Sequence, residues 1–156
     1  MNARWSVLVA EDNENDVLIL RHVFAKVSSD VSLAFVNDGE EAIKYLRGEN
    51  GFGDRSKHPF PDVLLLDLKM PRLDGFDVLT WIRNHPPLHR LRVIVFTSSG
   101  HDLDVERAYD LGASSYFRKP AALNDMKSVV DCLRDWLEIN QFAIVEDAQY
   151  LRKKAE

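Results

Sequence analysis

Cysteine is almost missing from this chain, with Cys132 standing alone among 156 residues. No internal disulfide can form, so the fold must hold by packing. Cys132 falls at an apolar helical position and reads as core or half-buried filler rather than a redox group. A basic excess is missing too. Lys and Arg number 20 against 25 Asp and Glu, for a formal net charge of −5. That balance argues against a nucleic-acid footprint, which needs clustered cations on one face. Arg152-Lys153-Lys154 is the only basic cluster and reads as a solvated tail. Long apolar runs are lacking as well: the opening residues have no signal-peptide core, and no run approaches the length of a membrane span. The expected location is cytoplasmic, with no membrane partner. Finally, Glu11-Asp12-Asn13-Glu14-Asn15-Asp16 carries no glycine-rich phosphate loop and would repel a nucleotide or flavin phosphate.

What is present is an ordinary globular composition, 46% hydrophobic and 29% charged, at a length suited to one domain with a sizeable core. The central stretch is Asp62-Val63-Leu64-Leu65-Leu66-Asp67, four consecutive apolar residues between Pro61 and Pro71. It is too short for a free-standing helix and reads as a strand buried on both faces. Ser6 to Ala10, Val31 to Val36, Leu91 to Phe96 and Ser115 to Arg118 read as four further strands. Helical spacing follows each: Val17 to Val27, Ala42 to Leu46, Phe76 to Ile82, residues 102 to 111, and Met126 to Leu137. Trp81 and Trp136 lie at helical core positions, while Trp5 is expected at the surface.

Five strands alternating with five helices force a parallel sheet, so the fold class is α/β, a doubly wound five-stranded sheet of flavodoxin-like strand order. Residues 1–141 form that domain. Residues 142–156 are an extension that reads as helical, either continuing the last helix or forming a separate amphipathic one, for an oligomer contact or for packing on its own domain. The segment 49–61 is a loop longer than an αβ connection requires, a partner surface or a tolerated insertion.

In such a sheet the carboxyl ends of the first, third, fourth and fifth strands carry Glu11-Asp12, Asp67, Thr97 and Lys119. Three carboxylates in one crevice repel one another unless a cation binds, and an oxygen-rich acidic cluster suits Mg²⁺. An adjacent ammonium and hydroxyl complete the requirements of phosphoryl transfer. Asp67, fixed by the apolar run before it, is the candidate nucleophile, and Glu11 and Asp12 are candidate metal ligands. The five histidines show no metal spacing.

These pieces resemble the receiver domain of response regulators. The matching segments are Glu11-Asp12-Asn13, Asp67 with Met70-Pro71-Arg72-Leu73-Asp74-Gly75, Thr97-Ser98, and Tyr116-Phe117-Arg118-Lys119-Pro120, in order across residues 6 to 137. The resemblance implies the (βα)5 receiver fold and a phosphoacceptor of a two-component system or phosphorelay, not an enzyme acting on other substrates. Asp67 would accept a phosphoryl group from a sensor histidine kinase or a histidine phosphotransfer protein. Asp12, Asp67 and the Lys69 backbone carbonyl would ligate Mg²⁺, with Glu11 acting mostly through water.

The resemblance also implies that Thr97 bonds a phosphoryl oxygen, Tyr116 swings inward, Lys119 pairs with the phosphate, and the Lys119–Pro120 bond is cis. The surface from 102 to 137 would carry the signal to a partner or a second copy. The long loop and Asn15-Asp16 look like stand-alone receivers that partner phytochrome-type kinases. The Lys69 ammonium is expected to alter the phosphoryl lifetime. An inert pseudo-receiver is disfavoured because every expected site residue type is present. An aspartyl-phosphate hydrolase is disfavoured because Lys69 stands where its acidic partner would be.

Overall fold

The computed structural model describes residues 3–27 and 29–142, the side chain of Leu123 excepted. Five strands, β1 (Trp5–Ala10), β2 (Val31–Val36), β3 (Val63–Leu66), β4 (Arg92–Thr97) and β5 (Ser115–Arg118), alternate with five helices. The helices are α1 (Glu14–Val27), α2 (Gly39–Arg47), α3 (Gly75–Arg83), α4 (Asp102–Asp110) and α5 (Leu123–Ile139). A 3-10 turn at Pro86–Leu88, absent from the sequence reading, links α3 to β4. All pairings are parallel and the strand order is β2-β1-β3-β4-β5.

Strand parity divides the core. Successive strand side chains point to opposite faces, so Leu8, Leu64, Leu66, Val93 and Val95 face one layer, with Tyr45 and Leu46 of α2, Val78 and Leu79 of α3, and Ala108 of α4. Val7, Val9, Leu65, Ile94 and Phe96 face the other, with Leu20, Val23 and Phe24 of α1 and Met126, Val130, Leu133 and Leu137 of α5. β3 is fully buried because both layers cover it. Burying its apolar side chains stabilises the domain by roughly 1.5–3 kcal/mol each, enough to decide that this run lies in the centre.

Helix ends follow their sequence signals. Asp38 caps α2 and Asp74 with Asp77 forms a capping box on α3. Gly48 ends α2 at φ +70, a left-handed position suited to glycine. The 49–61 loop is docked, not loose: the Tyr45 hydroxyl donates to the Pro59 carbonyl at 3.0 Å, and Phe52 packs on Tyr45 at 5.0 Å between ring centroids.

Three local expectations need correction. Trp5 is only 7% exposed, because β1 begins at this residue and its odd register faces the α1/α5 layer. Cys132 is exposed, since the stripe of Met126, Val130, Leu133 and Leu137 turns it away from the sheet. The Lys119–Pro120 bond is trans, as no peptide bond among the described residues is cis. Even before proline the trans isomer is intrinsically favoured. The expected helix over 142–156 lies, beyond Phe142, outside the described residues, and Phe142 itself packs edge-on to Trp136. Among the described residues no helix is long and apolar enough to cross a membrane.

Candidate functional site

The sheet order sets the site. β1 has β2 on one side and β3 on the other, so connections leave β1 and β3 in opposite directions and open a crevice at their carboxyl ends. The backbone ladder continues one residue past the strands: Asp67 N–H donates to the Ala10 carbonyl at 3.1 Å, and Lys119 N–H donates to the Thr97 carbonyl at 2.7 Å. These bonds fix the residues that carry the chemistry in register with the rigid sheet rather than on free loops.

The side chains converge on one ammonium. Lys119 Nζ lies 2.5 Å from Glu11 Oε2, 2.9 Å from Asp16 Oδ2 and 3.0 Å from Asp67 Oδ2. Glu11 is 2% exposed, Asp67 6% and Thr97 0%. The other oxygen of each buried acid is also placed: Asn13 N–H donates to Glu11 Oε1 at 3.0 Å, and Lys69 N–H donates to Asp67 Oδ1 at 3.3 Å. Burial pushes the Glu11 carboxyl up to about 7; the hydrogen bond from Lys119 opposes this and the Asp67 charge adds to it. For Lys119, burial alone would lower the pKa, but hydrogen bonds to Glu11 and Asp16 and the charge of Asp67 outweigh it and hold the ammonium above its ordinary value.

Carboxylate oxygens of Glu11, Asp12 and Asp67 lie within 4.8 Å of one another, a donor set suited to a hard divalent cation. Asp12 is the exposed member, so an ion at this cluster would stay open to solvent on one side. The Thr97 hydroxyl is buried with no hydrogen-bond partner among the described residues. An unpaired buried hydroxyl costs about 1–3 kcal/mol, so its position is that of a group awaiting an acceptor. Together the cluster and the hydroxyl fit a cation and an oxyanion side by side.

Close packing fixes Asp67. A Cβ on Gly75 would lie 2.4 Å from the Asp67 carbonyl oxygen and 2.8 Å from Leu68 Cα. Only glycine lets the start of α3 approach this closely, and Gly75 N–H donates to the Leu68 carbonyl at 3.0 Å. On the far side, the Tyr116 hydroxyl donates to the Ser99 carbonyl at 2.9 Å, and the Ser99 hydroxyl donates to Asp104 at 2.5 Å. Tyr116 is therefore tied to the loop between β4 and α4, which follows Thr97.

Thus Glu11, Asp12, Asp67 and Lys119 meet, with Thr97 ending the strand next to β3 and Tyr116 linked to the loop after it. Asp16 and Ser99 were missed as working residues. The sequence places Asp16 in the acidic run that would repel phosphate and in the likeness to stand-alone receivers, with no role of its own in the site. Its signal was a place on the first turn of the helix that follows the acidic pair. Ser99 offered no signal beyond a polar loop.

Residues 7–131 match the response regulator receiver domain family. The chain belongs to that family. Among relatives, it is 34% identical over 136 residues to a probable methanogenesis regulatory protein, FilR2, of Methanothrix harundinacea, covering 86% of this chain and 85% of the relative. It is 32% identical over 133 residues to the response regulator Rcp1 of Synechocystis sp., covering 85% and 88%. A Mn²⁺-bound form of Rcp1 is among the similar solved structures, at TM-score 0.79 with 31% identity, covering 90% of this chain and 99% of that one.

The phosphorylated cyanobacterial phytochrome response regulator RcpA superposes at TM-score 0.83 with 31% identity, covering 91% of this chain and all of that one. Response regulator RPA3017, in red light signalling of R. palustris, gives TM-score 0.83 with 38% identity, covering 89% and 98%. The fold is thereby that of a receiver, and a phosphoacceptor role in two-component signalling fits the chain.

Proposed function

We propose that Asp67 is the phosphoacceptor of this receiver and that Glu11, Asp12 and Asp67, with the Lys69 backbone carbonyl, hold Mg²⁺. The observation that carries the reading is the 3.0 Å contact between Lys119 Nζ and Asp67 Oδ2, which joins the ends of β5 and β3. In the reaction, an Asp67 carboxylate oxygen attacks phosphorus in line, forming an acyl phosphate while the phosphorus–nitrogen bond of a donor phosphohistidine breaks. The electron pair returns to the imidazole nitrogen, which takes up a proton.

The chain's own residues organise this transfer. The ladder bond from Asp67 N–H and the glycine contact behind it hold the nucleophile still. Lys119 offers charge to the peripheral phosphoryl oxygens, and the unpaired Thr97 hydroxyl donates to one of them. The divalent ion, when bound, neutralises charge on the phosphoryl group. Movement of Thr97 then reaches Tyr116 through the Ser99 loop and frees the ring to swing inward, altering the surface formed by α4, β5 and α5.

The donor is a sensor histidine kinase or a histidine phosphotransfer protein, which keeps the protein in the cytoplasm. Likeness to RcpA and RPA3017 favours a phytochrome-type kinase. The output is homodimerisation or partner docking through the altered surface. Acetyl phosphate with Mg²⁺ should phosphorylate the wild type, seen as a mass increase lost at alkaline pH, and should leave Asp67→Asn unmodified; equal labelling of both would overturn the assignment. Sedimentation with and without a beryllofluoride mimic tests the output, and an unchanged mass would exclude dimerisation.

A further inference from the structure

We propose that Asp16 is a positioning residue that restrains Lys119 and so sets how tightly the site holds a phosphoryl group. The inference rests on the phosphoacceptor reading and deepens it. An ammonium has three N–H donors. In this structure Lys119 presents them to three carboxylates: Glu11 at 2.5 Å, Asp16 at 2.9 Å and Asp67 at 3.0 Å. A phosphoryl oxygen can therefore recruit Lys119 only by displacing one of them.

The three anchors are not equivalent. Glu11 and Asp67 belong to the acidic cluster whose oxygens lie within 4.8 Å of one another, together with Asp12, and Asp16 does not belong to it. Asp16 is thus the one carboxylate on Lys119 that a divalent ion at that cluster would not engage. It is also the most accessible of the three, its side chain 27% exposed.

Local structure explains why the anchor is there. Asn13 Oδ1 accepts from Asp16 N–H at 3.1 Å, which makes Asn13 the cap of α1 and Asp16 its third helical residue. An acid at that place ordinarily serves the helix terminus, by folding back on the cap or by its charge alone. Here its carboxylate reaches instead to a lysine 103 residues away. The arrangement ties α1 to the end of β5 and makes the ammonium's position depend on a residue outside the metal cluster.

Two effects have the same sign. Asp16 competes with the phosphoryl group for an N–H donor, and its charge repels an incoming dianion from across the lysine. Removing it leaves Lys119 held by Glu11 and Asp67 but with one donor open. The restraint therefore weakens the phosphoryl-bound state, keeping the switch off in the absence of a donor.

The test is a beryllofluoride titration of the full chain at saturating Mg²⁺, followed by fluorine NMR of the bound species. Asp16→Asn is expected to bind about tenfold more tightly than wild type, equivalent to about 1.4 kcal/mol and comparable with one charge-assisted hydrogen bond. Asp16→Glu, which keeps the carboxylate, returns the affinity towards the wild-type value, a rescue that a purely structural role would not give. Asp16→Ser repeats the removal should the first variant misfold. If Asp16→Asn and Asp16→Ser bind no better than wild type, the restraint is refuted while the phosphoacceptor reading stands. If the wild type itself binds no beryllofluoride, or Asp67→Asn binds it equally well, the phosphoacceptor reading is the one that fails.

Discussion

Asp38 uses its two carboxylate oxygens to join two segments beside the site. Oδ1 accepts from Glu41 N–H at 2.7 Å and caps α2, while Oδ2 accepts from Arg72 Nε at 2.7 Å. Arg72 sits at φ +66 in the turn after β3, a left-handed position uncommon for a side chain of this size. Burial alone would raise the Asp38 pKa, but the hydrogen bonds from Glu41 and Arg72 outweigh it and hold the carboxyl below its ordinary value. A depressed folded pKa contributes stability that is present above the unfolded value and lost as pH falls through the folded one. Asp38→Ala is therefore expected to cost about 1 kcal/mol at neutral pH, the usual worth of a helix cap. The gap in urea midpoint from wild type should narrow once pH falls below about 4, the unperturbed aspartate value. A gap of the same size on both sides of that pH would refute the charge-dependent part.

Among the elements, α2 and the 49–61 loop behave as one unit. The last carbonyls of a helix have no partner within it. Arg55 supplies one, donating to the carbonyls of Tyr45 and Leu46 at 3.0 Å each and to that of His58 at 3.2 Å. A guanidinium at this end also suits the helix dipole. Arg55→Ala should lower stability by about 1–3 kcal/mol, because the Leu46 carbonyl loses its side-chain donor, while that of Tyr45 keeps the Gly48 N–H at 3.1 Å. It should also speed amide exchange across residues 49–61. Phosphorylation by acetyl phosphate should stay near the wild-type rate, since α2 presents its opposite end to the crevice. A large loss of phosphorylation without loss of stability would mean that the loop takes part in the site. The loop's length was plain in the sequence, but not its docking. That docking depends on an arginine whose partners are backbone groups, and backbone acceptors leave no residue signature.

For the whole molecule, the decisive balance is electrostatic. Glu11, Asp16 and Asp67 meet one cation, Lys119, and Asp12 lies beside two of them, on a chain that already carries a net charge of −5. Folding brings these acids together at a cost that a bound divalent ion offsets, so Mg²⁺ should stabilise the native state by mass action. At 100 times its dissociation constant the gain is about 2.7 kcal/mol, visible as a rise in melting temperature that EDTA reverses. Asp12→Asn should reduce that rise while leaving the metal-free melting temperature nearly unchanged, because the exposed Asp12 is not among the carboxylates tied to Lys119. An undiminished rise would remove Asp12 from the ligand set.

The sequence by itself determined the alternation of strands and helices, the burial of β3 and the residue types at the strand ends, because these depend on periodicity and on short-range caps and turns. It could not place Trp5, which is buried by the layer that happens to cover the first strand position. Nor could it place Cys132, which a shift of helix phase turns outward. Only the tertiary structure decided that Lys119 is shared among three carboxylates and that Asp16 is one of them. A contact across 103 residues follows from sheet order and helix position, and no local pattern encodes either.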